Sequence, residues 1–319
     1  MTPAFLRRFA YVQRLLSERD LLRGERDLLR GEVERMRCAG EGGAPSFVPP
    51  GHFYSPFPNV AQVRANEARF FPPPPRTLPG IELREAEQLA LLRDLEPSYR
   101  EQPFQPRRSP ARRYWFENPA YSYSDALFLY AMIRHLRPRR ILEIGSGYSS
   151  CVTLDTNELF FGNAIDCTFV EPYPELLRSL LRPGDEARIR IVAAGAESVG
   201  AEPFERLDEN DILFIDSTHV SKLGSDVNHL VLEVLPRLRP GVHVHVHDIH
   251  YPFEYPAGWI YEGRAWSEAY LLRAFLAFNS AFEIVLFNTF LEHFHEGWFR
   301  EHMPLCLENR GGSIWLRRR

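Results

Sequence analysis

Cysteine is scarce: four in 319 residues, Cys38, Cys151, Cys167 and Cys306. They have neither paired metal-ligand spacing nor the density of a disulfide framework, which suits a reducing compartment. No apolar run approaches membrane-spanning length, and the opening MTPAFLRRFAYVQRLLSERD reaches charge before it can build the core of a signal peptide. Positive charge is not in surplus either. With 38 Lys and Arg against 42 Asp and Glu, the net charge is −4 with His neutral, which disfavours a nucleic-acid binder drawn to phosphate by its overall charge. The expectation is a soluble, cytoplasmic protein without a membrane or nucleic-acid partner. Core material is plentiful instead: 45% of residues are apolar and 25% charged, enough for one large core plus extensions or two modest domains.

Three segments follow from the pattern. Residues 1–38 read as a helix with a near duplication, ERDLLRG at 18–24 and 25–31. Leu15, Leu22, Leu29 and Met36 share one stripe, yet Glu18, Glu25 and Glu32 occupy positions where a strong coiled coil wants leucine. A self-association helix, a helix packed on its own domain and a frayed terminus all remain open. Residues 39–119 begin with Gly, Pro and aromatics. Phe47, Phe53, Tyr54 and Phe57 favour an arm packed on the main domain over a free linker. The segment continues through the prolines of FFPPPPRTLPG to a helical pattern at 82–96.

From 120 to 319 the pattern is that of an α/β domain. A helix starts near Ser124, a plausible cap, with Asp125 at its positive end. Strands are expected at 141–144, 167–170, 188–194, 211–216 and 242–249, alternating with helices, and a closing pair at 282–288 and 311–318. Strands bounded by helices at this spacing mean a parallel sheet covered on both faces.

The sharpest local signal is ILEIGSGYSS at 141–150. A buried strand runs into Gly145 and Gly147, where missing side chains permit a tight turn or close approach to a ligand, and a helix near Ser149 offers free amides. The third glycine of a dinucleotide fingerprint and the Gly-Lys-Ser/Thr end of a phosphate-binding loop are both missing. Glu171 lies just after the second strand, 24 residues beyond Gly147, where a carboxylate can accept both hydroxyls of a ribose held over the turn.

Together, Glu143-x-Gly145-x-Gly147, Glu171, Asp216 at the end of the fourth strand and the closing strand pair resemble the class I S-adenosylmethionine-dependent methyltransferases. FIDSTH and LRPGVHVHVHD are similar to the sugar and small-molecule O-methyltransferase branch, which usually shows FIDG-x-H and L-x-P-G-G-x-x-x-x-H-D. The likeness covers roughly 120–319. It implies a Rossmann-like sheet of order 3-2-1-4-5-7-6, with the seventh strand antiparallel and helices on both faces, preceded here by the helical and extended amino-terminal segment. It also implies S-adenosylmethionine as cofactor. Glu143 would sit near the methionine, Gly145 and Gly147 beneath the cofactor, Glu171 on the ribose, the segment Ala193 to Ala196, with Ala194, at the adenine, and Asp216 beside the cofactor. Ser217 and Val242 stand where relatives carry glycine, which is tolerable if those backbones keep negative φ.

Asp216 and His219 follow the fourth strand, and His247, Asp248 and His250 the fifth. Adjacent parallel strands bring these ends to one crevice. Asp216 and Asp248, with a histidine or amide and waters, suit Mg²⁺, which prefers hard oxygen ligands. Metal-dependent members of the resembled group use acids at these strand ends. The competing reading puts Asp216 beside the cofactor and makes Asp248 a loop cap. His243 and His245, alternating with valines, read as buried and hydrogen-bonded. His219 and His250 are the candidate bases for deprotonating an acceptor hydroxyl.

YPFEYPAGWIYEGR at 251–264 is either an acceptor lid or a packed loop, and Asn288, His293, His295 and Trp298 are candidates for the far wall of a pocket. The expected reaction is methyl transfer to a hydroxyl of a small molecule or glycosyl unit. Two other readings stand beside it: a non-catalytic scaffold assembling through its amino-terminal segment, and a metal-dependent hydrolase built on Asp216, His219, Asp248 and His250.

Overall fold

The computed structural model describes residues 47–319. The helix anticipated over 1–38, with its self-association stripe, lies outside the described residues, as does the start of the arm. The described chain forms two compact units, 47–72 with Ala257–Ala265, and Pro73–Pro256 with Trp266–Arg319.

The smaller unit carries the short helices Val60–Ala65, Glu67–Phe70 and Ala257–Tyr261. Asn59 caps the first by accepting from the Gln62 amide. Phe47, Phe53, Tyr54 and Phe57 are exposed, so the burial expected of these arm rings is not found. Phe53 and Tyr54 instead lie on each other, with ring centroids 3.9 Å apart.

The larger unit is built on seven strands: β1 (Arg140–Ile144), β2 (Asp166–Val170), β3 (Arg190–Val192), β4 (Ile212–Ile215), β5 (His243–His247), β6 (Phe282–Phe287) and β7 (Ser313–Arg318). Their order is β3-β2-β1-β4-β5-β7-β6, as the resemblance implied. The first five are parallel, and β7 runs antiparallel between β5 and β6. Every residue of β4 and β5 is buried, which for strands with side chains on alternating faces means that both faces are covered. The register aligns Ile144 with Val170 and Ile215, and Ile215 with Val246. The residues leaving β1, β2, β4 and β5 therefore emerge side by side, and this alignment creates the site.

The helix Ser124–Leu136 is almost wholly buried and packs between helices Glu85–Arg100 and Tyr148–Phe161. Its start corrects the capping expectation. Tyr123 holds the cap position, and the Ser124 hydroxyl donates to Glu292 rather than to the helix. Asp125 is buried as well, accepting from Asn288 Nδ2 at 3.1 Å and from the Gly312 amide. Among the described residues no helix is long and apolar enough to cross a membrane.

Candidate functional site

The chain leaves β1 through Gly145, whose φ of +78° already favours glycine, and a Cβ there would lie 1.9 Å from the Asp216 carbonyl oxygen. The turn thus lies directly against the end of β4. Gly147 is extended, and its amide donates to Ser150 Oγ at 3.0 Å, just before the helix Tyr148–Phe161. Glu143 is fully buried behind the turn. Its Oε1 accepts from Ser149 and Ser150, each at 2.7 Å, while Oε2 has no protein partner among the described residues. Burial pushes this carboxyl up to about 8, the two hydroxyls opposing the shift.

Glu171 stands across the turn. Its Oε2 accepts from the Ser146 amide at 3.1 Å and Oε1 from the Tyr173 amide at 2.9 Å. Each oxygen keeps a further lone pair for a ligand hydroxyl. Glu171, Gly145, Gly195, Ala196, Asp216 and Lys222 line a cleft of about 480 Å³, within the usual range for a small-molecule site. Ala194 and Glu143 are not part of its wall.

Asp216 is also the first member of a second constellation. Donor atoms of Asp216, His219 and Asp248 all lie within 4.8 Å of one another. His219 Nε2 is 3.4 Å from Asp216 Oδ1 and 3.4 Å from Asp248 Oδ2. Ser217 and Val242 avoid positive φ, whereas His219 (+61°) and Asp248 (+55°) adopt it. Left-handed backbone at residues with a Cβ is uncommon and concentrates at functional sites.

His219 is held from behind by a residue that the sequence did not single out. Its Nδ1 lies 2.8 Å from Oε2 of Glu268, which is itself 1% exposed. The Ser267 and Glu268 amides donate to the His219 carbonyl at 2.9 and 3.1 Å. The Trp266 ring lies 4.4 Å from the imidazole, centroid to centroid. Burial opposes a charged His219, but its bonds to Asp216 and Glu268 outweigh that cost and raise it to about 10.

The remaining histidines diverge. His247 approaches Asp248 at 3.6 Å, with the Tyr121 ring 5.1 Å away. Burial opposes its charge, but Asp216, Asp248 and Asp125 raise its pKa overall. His250 is separate from the His219 group. A Cβ on Gly312 would fall 2.4 Å from its ring, and burial lowers its pKa to about 4. His243 and His245 are buried as expected. The expected hydrogen bonding fails for His245, whose ring nitrogens have no partner among the described residues. It stacks on Phe214 instead, with centroids 4.1 Å apart.

The far-wall candidates do not converge. Asn288 serves Asp125 and the Ser313 amide, His295 pairs with Glu85 at 2.6 Å, and Trp298 stacks on His302.

Residues 142–249 match a family described as "Methyltransferase domain". An uncharacterized protein of Archaeoglobus fulgidus is 37% identical over 172 residues, covering 51% of this chain and 75% of that protein. Solved structures with a similar fold include a methyltransferase of Podospora anserina bound to SAH, with 16% identity, 61% of this chain and 77% of that chain covered, and TM-score 0.41. Another is the O-methyltransferase TomG of Streptomyces achromogenes in complex with SAM, with 17% identity, 75% and 91% covered, and TM-score 0.39. A third is an O-methyltransferase of Bacillus cereus in complex with SAH, with 14% identity, 81% and 97% covered, and TM-score 0.39.

Proposed function

The chain belongs to the class I S-adenosylmethionine-dependent methyltransferases, and from that premise we propose that it methylates a hydroxyl of a small molecule or glycosyl unit with the help of a divalent cation, Mg²⁺ by ligand chemistry. One observation carries this reading: Asp216 belongs both to the cleft wall and to the cluster with His219 and Asp248. The cofactor side and the acceptor side of the reaction therefore meet at a single residue.

On the cofactor side the residues fit the nucleoside. Gly145 brings the turn against the end of β4 and into the cleft wall, Glu171 has free lone pairs for the ribose hydroxyls, and Gly195 and Ala196 offer a small surface to the adenine. The unpartnered Oε2 of buried Glu143 suits a hydrogen-bond donor at the methionine end.

On the acceptor side, two carboxylates and one imidazole nitrogen make a donor set suited to a hard cation completed by oxygen ligands. When bound, such a cation supplies positive charge that orients acceptor oxygens and lowers the pKa of a hydroxyl. In this reading a cation takes the place of the proton that Asp216 otherwise favours on His219, and the deprotonated Nε2 belongs to the ligand set. His250, packed against Gly312 and with its pKa lowered by burial to about 4, is a weak base at pH 7, so in this reading the cation's effect on the hydroxyl carries the deprotonation rather than this histidine. Strand ends fixed by the sheet register hold these groups, which supports a reading in which they orient the acceptor behind the methyl.

The test uses the full chain stripped of co-purified ligand. Calorimetry is expected to find S-adenosylmethionine binding. Methyl transfer to a panel of vicinal diols, catechols and glycosides is expected to stop with EDTA and return with Mg²⁺. Absence of cofactor binding defeats the whole reading, while transfer that is indifferent to EDTA defeats its metal half.

A further inference from the structure

One contact beside the site that the proposed reaction does not use is between His219 and Glu268. Glu268 is almost completely buried, a costly position for a carboxylate. Its Oε2 meets His219 Nδ1 at 2.8 Å, and Ser217 Oγ donates to Oε1 at 3.3 Å. The backbone is coupled in the same place, because the Ser267 and Glu268 amides both end on the His219 carbonyl. Ser221 adds a further tie, its amide donating to Ser267 Oγ at 2.9 Å. One helix start thus grips His219 at its carbonyl and at its ring, on a backbone with φ of +61°. The ring nitrogen that is left, Nε2, lies 3.4 Å from each of two carboxylates.

We infer that Glu268 is a positioning residue, which fixes His219 with Nδ1 protonated and turned inward so that Nε2 faces the gap between Asp216 and Asp248. A carboxylate behind a ligating histidine sets its tautomer and ring orientation and raises its basicity as a ligand. The inference rests on the metal reading of the cluster for its consequence, but on the contacts alone for its geometry. Glu268 touches neither cofactor nor acceptor in this account. It acts through the imidazole.

The experiment compares the full chain with Glu268→Ala and Glu268→Gln. Binding of Mn²⁺ alone is followed by electron paramagnetic resonance, and S-adenosylhomocysteine binding by calorimetry serves as the check on folding. The expected result is a Mn²⁺ dissociation constant raised about 10–100-fold in Glu268→Ala, a smaller rise in Glu268→Gln, which keeps an acceptor for Nδ1, and unchanged nucleoside affinity. Equal Mn²⁺ affinity in all three proteins overturns the inference. If the wild type itself takes up no Mn²⁺, the metal reading fails, and a crystal structure of Glu268→Ala then judges the clamp. A ring turned away from Asp216 and Asp248 supports it, and an unmoved ring overturns it. Should the alanine variant fail to fold, Glu268→Gln carries the comparison. A long-range nitrogen–proton spectrum of ¹⁵N-histidine wild type adds an independent reading, since a His219 without a proton on Nδ1 overturns the inference directly.

Discussion

Gly145 lies beneath the Asp216 carbonyl so closely that a single added carbon would sit 1.9 Å from that oxygen. Neither backbone can withdraw easily, because the Asp216 amide donates to the Ile144 carbonyl at 2.8 Å and the Gly145 amide to Val170 at 2.9 Å. Gly145→Ala adds a left-handed strain to that clash. It is expected to cost more than about 1 kcal/mol of stability and to abolish measurable S-adenosylmethionine binding. Urea unfolding and calorimetry on the same preparation check both effects.

Glu171→Ala removes the carboxylate whose two oxygens accept from the Ser146 and Tyr173 amides and which the proposal assigns to the ribose hydroxyls. Hydrogen bonds to a charged group contribute about 1.5–3 kcal/mol each. The expected outcome is S-adenosylmethionine affinity lowered by about 10–100-fold, with a smaller loss for Glu171→Gln. A carboxylate on a cleft wall contributes little to the core, so the midpoint of thermal unfolding should move by only a few degrees.

Lys222 is the only lysine in the sequence, and it lines the cleft. That makes acetylation a clean footprint. Modification of Lys222 by an amine-directed reagent, followed by peptide mass spectrometry, should slow severalfold once S-adenosylhomocysteine saturates the protein. The amino terminus serves as the internal reference. An unchanged rate at Lys222 counts against occupancy of this cleft.

Much of this was legible beforehand for a definite reason. Glu171 and Asp216 announced themselves because each follows directly on an apolar strand, and in a parallel sheet the strand ends form the ligand crevice. Glu268 gave no such signal. It stands 49 residues from His219 and looks like any acid in the first turn of a helix, where the helix dipole alone justifies it. The same ambiguity misled the reading of Ser124, whose side chain turns to Glu292, while Asp125 stands in the first turn as expected but gives its carboxylate to Asn288 and Gly312. Positive φ at His219 and Asp248 was equally hidden, because the departures from a glycine pattern stand at Ser217 and Val242, whereas the left-handed residues lie two positions past the first and, across β5, six past the second. Local periodicity reports the elements. Partners far apart in the chain are set by how those elements close.

His243 offers a pH test with a defined sign. Burial, with Arg317 nearby, lowers its pKa to about 4 in the folded protein, against about 6.5 when unfolded. Between those values the unfolded chain binds the extra proton, so this group's contribution to stability falls as pH drops from 6.5 to 4. His243→Phe removes that contribution. Relative to the variant, the wild type should lose about 1.4 kcal/mol per pH unit across the window, measured by urea unfolding at pH 7, 5.5 and 4.5. Parallel curves would show that His243 is not held neutral.

Arg113 connects the chain ahead of the Ser124–Leu136 helix to the scaffold of the cofactor turn. Its guanidinium, 3% exposed, pairs with Asp155 at 2.8 Å, Asp185 at 2.6 Å and Glu158 at 2.9 Å. The Arg113 and Tyr114 amides both donate to Asp155 as well. Asp155 and Glu158 lie on the helix Tyr148–Phe161, the one that begins at Gly147. Removing a single cation here strands buried carboxylates, which is far more costly than deleting a whole ion pair. Arg113→Ala is therefore expected to destabilise the protein by about 3–5 kcal/mol. A triple variant that also carries Asp155→Asn and Asp185→Asn should recover part of the loss, because the uncompensated charges leave with the arginine. If the helix also steadies the glycine turn, S-adenosylmethionine affinity will fall in Arg113→Ala at temperatures well below its unfolding midpoint, and it will return along with stability in the triple variant.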